Sequence, residues 1–223
     1  MPVTIHEPAI PNLSPAELDR WRKVEASVAV DVCRGAGYVD PAIRPLLPPG
    51  QQPRLFGRAV TAACEPPDFG AVPYALEVIK PGDVLVIAAG GHLGVAMIGE
   101  VLGGYLRRRG GVGIVCDGAI RDVGILAGWP DLSVYTRGVT PRGPASKERG
   151  AVNVPVIFGG CRINPGDLLI GDDDGLAVLT PDAVRQRIAD AEAVPVREQK
   201  WQASLAAGRT LVETIGLPPA ERR

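Results

Sequence analysis

Aromatic residues are scarce in this chain: three Trp, four Tyr and three Phe among 223 residues. Its core must therefore be built from Val, Ile, Leu and Ala. Histidine is scarcer still, with only His6 and His92, which argues against a zinc site made of His and Cys. The four cysteines, at 33, 64, 116 and 161, are scattered without a C-x-x-C pair, so no disulfide framework is expected. Cys116 ends an apolar run and reads as a buried free thiol. An excess of one charge is also missing: the net charge is −1 and the pI about 6.2. No basic field is available to recruit nucleic acid or an anionic membrane. The longest apolar runs, such as residues 84–89, are far too short to cross a bilayer. No basic stretch followed by an apolar one opens the sequence, so no secretory signal and a cytoplasmic location are expected. A Gly-x-Ser-x-Gly elbow is absent, which argues against a serine hydrolase.

What is present is 46% hydrophobic residues in well-punctuated segments, the mark of a globular chain. Residues 1–13 read as an arm. Ser14-Pro15-Ala16-Glu17 starts a helix, with Ser as N-cap, Pro in the first turn and Glu three residues on. That helix is expected to reach about Val28, with a further turn or short helix before Gly35. Residues 57–63 read as a strand, 73–79 as a short helix, and 83–89 as a strand buried on both faces. Gly90-Gly91-His92-Leu93-Gly94 reads as a turn, with His92 a loop residue. Ile98, Val101, Leu102 and Tyr105 then fall on one helical face that ends at Gly110. Residues 112–116 form the next buried strand and complete a βαβ unit. Short β runs follow at 133–137, 152–158, 162–163, 168–170 and 176–179. Asp172-Asp173-Asp174-Gly175 lacks the spacing of a calcium loop and reads as a β-turn. Thr180-Pro181 opens a last helix, 181–223 being a helical tail, in which Pro195 is expected to break or kink the chain. The end, from Pro218, reads as frayed. The whole of 1–223 is expected to form one α/β domain.

The chemistry-bearing string is Asp117-Gly118-Ala119-Ile120-Arg121-Asp122, which follows the buried strand 112–116. Ligands of α/β sheets bind beyond the carboxyl ends of strands. Arg121 offers a planar fork matched to a carboxylate, and Asp122 is a hard oxygen ligand suited to magnesium or manganese. On pattern alone the string reads first as a charged turn carrying a surface ion pair, since loops after strands are often charged. Glu100 borders the apolar stripe of the preceding helix; it reads either as a solvated helix side chain or as an acid that orients water or shuttles a proton. Arg137 and Arg142 flank a Thr-Pro turn. They read either as structural or as a positive rim for a second substrate carboxylate or a subunit contact.

Several strings in order resemble one family. They are Gly57-Arg58-Ala59-Val60-Thr61, Lys80-Pro81-Gly82-Asp83-Val84-Leu85, Gly99-Glu100-Val101-Leu102 and Gly113-Ile114-Val115-Cys116-Asp117-Gly118-Ala119-Ile120-Arg121-Asp122. The resemblance continues through Thr136-Arg137-Gly138-Val139-Thr140-Pro141-Arg142-Gly143, Asn153-Val154-Pro155, Asn164-Pro165-Gly166-Asp167 and Gly171-Asp172-Asp173-Asp174-Gly175. Together they cover roughly residues 25–180 and resemble the RraA-like, 4-hydroxy-4-methyl-2-oxoglutarate aldolase family. The resemblance implies a compact α/β/β sandwich around the βαβ unit, a C-terminal helix, and homotrimers or homohexamers with sites between subunits. It implies class II, metal-dependent retro-aldol cleavage of a 4-hydroxy-2-oxo acid to pyruvate and a second oxo acid, with oxaloacetate decarboxylation alongside. Carried over by position, Arg121 grips the pyruvyl group and Asp122 binds Mg²⁺ (or Mn²⁺) directly. Gly99 and the backbone amides of Val101 and Leu102 hold the substrate carboxylate, and Glu100 holds a metal-bound water. Glu198 is the best match for an acid contributed by a neighbour's C-terminal helix, with Glu192 as its rival.

Three other readings stand beside this one. A Schiff-base aldolase needs a buried lysine, and none of Lys23, Lys80, Lys147 and Lys200 reads as buried: Lys80 precedes a turn, and Lys147 and Lys200 sit in charged surroundings. The Gly90-Gly91-x-x-Gly94 string imitates a dinucleotide loop, yet it has the order G-G-x-x-G and the chain beyond turns to short β runs. The third comes from a different class: some members of the family are regulators that bind a ribonuclease complex, and fold alone does not separate them from enzymes.

Overall fold

The computed structural model describes residues 2–221, and its elements run in the following order. First come β1 (Thr4–Ile5), α1 (Pro15–Trp21), α2 (Ala26–Val32), β2 (Arg44–Pro45), β3 (Leu55–Ala63), α3 (Ala71–Val78), β4 (Asp83–Ala96), α4 (Glu100–Arg108) and β5 (Gly113–Ile120). After them come α5 (Val123–Leu126), β6 (Ser133–Val139), β7 (Ala151–Val152), β8 (Val156–Phe158), β9 (Cys161–Ile163), β10 (Leu168–Asp172), β11 (Gly175–Leu179), α6 (Pro181–Ala206) and α7 (Leu211–Ile215). The main sheet has the order β1-β7-β3-β4-β5-β6-β2, and β10 joins it by pairing with β3 and β11. Its centre, β3 to β6, is parallel.

Side-chain alternation sorts the sheet into two buried faces. Leu85, Ile87, Ile114 and Cys116 pack with Val72 and Leu76 of α3 and Leu106 of α4. Val84, Val86, Val115 and Tyr135 point the other way, onto Val156, Phe158 and Ile163 of the β8–β9 hairpin. Each such Val or Leu contributes roughly 1.5–3 kcal/mol by leaving water. A third cluster joins α1, α2 and α6 to β10–β11 through Trp21, Ala29, Leu168, Leu179 and Ile188. The result is the layered α/β/β arrangement expected, with the C-terminal helix on the β10–β11 side.

Five readings of the sequence are corrected. Ser14 and Glu17 do form a capping box, but the helix stops at Trp21 and a separate α2 starts at Ala26. The Asp172 carboxylate accepts from the Ala26 amide at 2.7 Å and so caps α2 from a distance. The N-terminal arm is anchored, since Thr4–Ile5 pairs in parallel with β7. The Gly90–Gly94 string does not end its strand: β4 continues to Ala96 through two register shifts against β5, and His92 is a strand residue opposite Gly118. Pro195 does not break its helix, which runs unbroken from Pro181 to Ala206. Ala191 and Val194 are buried on the near side of the proline, and α7 packs back on the far side through Ser204 and Thr214, 3.0 Å apart. Finally, the strand expected at 152–158 is split into β7 and β8, with Asn153 at a positive φ of 58° between them. Of the tail read as frayed, Arg222 and Arg223 lie outside the described residues. No helix among the described residues is long and apolar enough to cross a membrane.

Candidate active site

The site is built where β5 ends. The segment before α4 runs beside that end: Met97 N–H donates to Ala119 O at 2.8 Å, and Arg121 N–H donates to Ile98 O at 3.0 Å. This brings the first turn of α4 against Arg121 and Asp122. The Glu100 amide donates to Asp122 Oδ2 at 3.0 Å, and Arg121 Nε lies 3.5 Å from the same oxygen. Both side chains remain accessible, 44% for Arg121 and 38% for Asp122, so they are open to a ligand.

Two glycines allow this closeness. A Cβ on Gly99 would stand 2.4 Å from Asp122 Oδ2 and 2.8 Å from Arg121 Cγ. A Cβ on Gly143 would stand 2.9 Å from Arg121 Nη1. Any other residue at either position would push the guanidinium or the carboxylate away. The amides of Val101 and Leu102, in the first turn of α4, donate to no protein acceptor among the described residues. They are the orphan donors of a helix start, aligned with its positive dipole end. Val101 itself is exposed and Glu100 is exposed beside it.

The structure therefore brings together Gly99, Glu100, Val101, Leu102, Arg121 and Asp122. It does not bring Asp117 with them. Asp117 lies inside β5 rather than after it and points to the opposite face, where Arg137 Nε donates to Oδ1 at 2.6 Å and Gly159 N–H donates to Oδ2 at 3.1 Å. Arg137 also pairs with Asp40 at 2.9 Å. That arginine is thus consumed by two carboxylates and is not a free rim cation. Glu192 is paired to Arg20, and Glu198 lines a cleft between α1, α2 and α6, so neither meets Arg121 within one chain. Burial, with Asp68 nearby, pushes the Cys64 thiol up to about 12, and burial also raises the Cys116 thiol well above its usual value, so neither is a thiolate at neutral pH.

One supporting residue was not visible in the sequence. Asp68 is fully buried and accepts hydrogen bonds from the amides of Gly70 (2.7 Å), Glu148 (2.9 Å) and Arg149 (3.1 Å) and a short one from Ser146 Oγ. It clips the 143–150 loop, whose first residue, Gly143, walls the Arg121 guanidinium. Burial opposes ionisation of Asp68, but these donors outweigh it and hold its carboxyl well below the usual carboxylate range.

No cluster of three or more His, Cys, Asp or Glu suited to a metal occurs among the described residues. A metal at this site would have Asp122 as its one direct protein ligand. That suits a hard cation that keeps several waters, and it does not suit zinc.

A guanidinium, an open carboxylate and free helix-start amides meet at the carboxyl end of a parallel sheet, where α/β proteins bind ligands. The matches to known proteins narrow that class. The Aldolase/RraA family model matches residues 25–178, and the chain belongs to this RraA-like family. A relative in Halalkalibacterium halodurans, described as "Putative 4-hydroxy-4-methyl-2-oxoglutarate aldolase", is 33% identical over 170 residues, 75% of this chain and 79% of its own. Among solved structures, an uncharacterized protein of Pseudomonas syringae pv. tomato superposes with a TM-score of 0.78 at 24% identity, covering 92% of this chain and 98% of that one. Streptomyces coelicolor RraAS2, described as an unusual member of the RNase ES inhibitor RraA protein family, superposes with a TM-score of 0.74 at 27% identity, covering 84% and 97%.

Proposed function

We propose that this protein is a divalent-metal-dependent lyase that cleaves a 4-hydroxy-2-oxo acid of the 4-hydroxy-4-methyl-2-oxoglutarate type to pyruvate and a second oxo acid. It would also decarboxylate oxaloacetate, because both reactions place negative charge on the same pyruvyl oxygen. The observation that carries this reading is the convergence of Arg121, Asp122 and the free amides of α4, held together by the Glu100–Asp122 hydrogen bond. Curated relatives with aldolase names support it.

Arg121 grips the pyruvyl end through its fork and faces the oxygen on which charge develops. The amides of Val101 and Leu102 hold the substrate carboxylate at the positive end of α4. Asp122, with Glu100 acting through water, would hold Mg²⁺, or Mn²⁺ in its place. When bound, such an ion supplies a Lewis acid beside that oxygen. In this reading Glu100 takes the C4 hydroxyl proton through a water as the C3–C4 bond breaks, and returns it to C3 of the released pyruvyl group. Homo-oligomers, trimeric or hexameric, would let Glu198 of a neighbour complete the water shell. The test is pyruvate release from 4-hydroxy-4-methyl-2-oxoglutarate and from oxaloacetate, with Mg²⁺ and then with excess EDTA. Release above the free-ion rate that EDTA abolishes is the expected result.

A second reading is favoured by the likeness to RraAS2. There the protein is a regulator that binds a ribonuclease complex. No release from either acid by folded protein would favour it, as would ribonuclease inhibition that survives Asp122→Asn.

A further inference from the structure

β5 loses its regular pairing just before it delivers the candidate site. Up to Cys116 it is in step with both neighbours. For Asp117, Gly118 and Ala119 the partners on β4 are Ala88, His92 and Ala96, so β4 bulges outward twice. On the other side β5 goes from Cys116 to Ala119 while β6 goes only from Thr136 to Gly138. Register matters most at this point. A slip of one residue along β5 would carry Arg121 into the place of Asp122 and turn its side chain to the other face.

Side chains hold this stretch. The Thr136 hydroxyl lies 3.1 Å from Gly118 O and 2.9 Å from Gly138 O. Arg137 stands in the irregular part of β6, with Nε donating to Asp117 Oδ1 at 2.6 Å and Nη1 2.9 Å from Asp40 Oδ2. Asp117 Oδ2 accepts from Gly159 N–H at 3.1 Å, and Asp40 N–H donates to Gly159 O at 2.9 Å. Asp40 Oδ1 also accepts from Ala42 N–H at 2.9 Å. The chain of charges therefore ties β5 and β6 to residues 40–42 and to the turn of the β8–β9 hairpin. The β4 bulge lies over it, since a Cβ on Gly91 would stand 3.8 Å from Arg137 Nε.

Stability does not account for this pair. The layer around it is built from Val84, Val86, Val115, Tyr135 and Phe158. Burying a carboxylate among such residues carries a desolvation penalty that pairing at best offsets, and apolar residues of similar volume are often as stable. An ion pair adds direction, and fixing register is the best-attested use of a buried one. Asp117 and Arg137 lie on the face of the sheet away from α4, so they do not touch a ligand held by Arg121 and Asp122.

We propose that the Asp117–Arg137–Asp40 chain is a positioning device: it holds residues 117–120 in register and thereby sets where Arg121 and Asp122 stand against the start of α4. Two contacts depend on that register, Arg121 N–H to Ile98 O at 3.0 Å and the Glu100 amide to Asp122 Oδ2 at 3.0 Å. The inference rests on the lyase reading, in which Arg121 and Asp122 bind the pyruvyl group and the metal, and adds the residues that place them.

The test removes the charges without leaving one buried and unpaired. Asp117→Asn combined with Arg137→Met keeps an acceptor for Gly159 N–H and fills the space of the arginine stem. The melting temperature of this double variant should stay within about 5 °C of the parent's. Calorimetric titration of the full chain with pyruvate in MgCl₂ should nevertheless show binding about tenfold weaker than the parent's. A purely structural pair would leave affinity unchanged wherever stability is unchanged. Parent-like affinity in the folded double variant therefore overturns the positioning role and leaves the lyase reading standing. Should the double variant not fold, Asp40→Ala takes its place, because it removes only a carboxylate whose side chain is 40% exposed. About threefold weaker pyruvate binding is expected there, and parent-like affinity overturns the inference. Absence of pyruvate binding in the parent protein, with Arg121→Ala indistinguishable from it, overturns both the inference and the lyase reading.

Discussion

Asp122 has φ 56° and ψ 34°, a left-handed backbone that costs most residues about 1–2 kcal/mol and is tolerated best by Gly, Asn and Asp. It carries two structural tasks and one proposed one: it starts α5, accepts the Glu100 amide and, in the proposed function, binds the metal. Alanine would remove all three, so Asp122→Ala confuses chemistry with folding. Asparagine keeps the backbone preference and an oxygen for the Glu100 amide, and removes only the charge. Asp122→Asn should therefore stay within about 0.5 kcal/mol of the parent in denaturant melts while losing metal-dependent turnover. Turnover retained in that variant would refute the metal assignment. Arg121→Lys should also fail to restore activity, losing at least about tenfold in kcat/KM, because an ammonium cannot reproduce the two parallel donors of the fork. The closeness of these two residues to each other and to α4 was legible only through the family resemblance, because on pattern alone charged residues after a buried strand read as well as a surface turn. Asp117, in the same string, was misplaced for a local reason: the strand runs four residues further than its apolar run, and a buried acid satisfied by Arg137 and Gly159 looks in sequence like an exposed one.

The elements show a similar division. Strands and helices whose signal is local were readable: the capping box at Ser14, the apolar cores of β4 and β5, the presence of α4; the face of α4 was not, since Val101 of the expected stripe is exposed and Gly103 and Leu106 are the buried residues. Features settled by distant partners were not. β4 passes through Gly90 and Gly91 because β5 supplies pairing partners beyond them, and α6 passes through Pro195 because packing on both sides outweighs a lost hydrogen bond. Asp68 is the clearest case, since all its donors but the Gly70 amide lie in a loop about 80 residues away. Removing this carboxylate would leave several buried donors unpaired, so Asp68→Ala should cost about 3 kcal/mol. It should also loosen the Gly143 wall and raise KM for the oxo acid. The pH dependence follows from the depressed pKa. The stability Asp68 contributes is fully present above its unfolded value, about 3.9, and is lost as pH falls below that toward the folded value. Thermal melts at descending pH should show a shallower acid decline in Asp68→Asn than in the parent. Equal slopes would mean that other carboxylates set the acid limit.

At the scale of the whole molecule, the C-terminal hairpin and the proposed metal make opposite demands. α7 buries no residue within the chain, yet Leu211, Val212, Ile215 and Leu217 are all exposed on and just beyond it. Deleting residues 209–223 should thus leave the circular-dichroism melt of the body nearly unchanged, while light scattering on the eluted protein should show a smaller assembly than the parent. An unchanged mass would mean that this hairpin forms no interface between subunits. A metal held by one carboxylate ties no two distant elements together, so it should matter to the reaction and hardly to the fold. Linkage sets the size of that effect: even at tenfold excess over its Kd, the ion adds only about 1.4 kcal/mol, or roughly 3–6 °C in Tm for a chain of this length. EDTA is therefore expected to abolish pyruvate release while lowering Tm by no more than that. A loss of folded structure on chelation would instead mean that several protein ligands grip the ion, which would contradict a site whose only direct ligand is Asp122 and would shift attention to acids contributed across a subunit boundary.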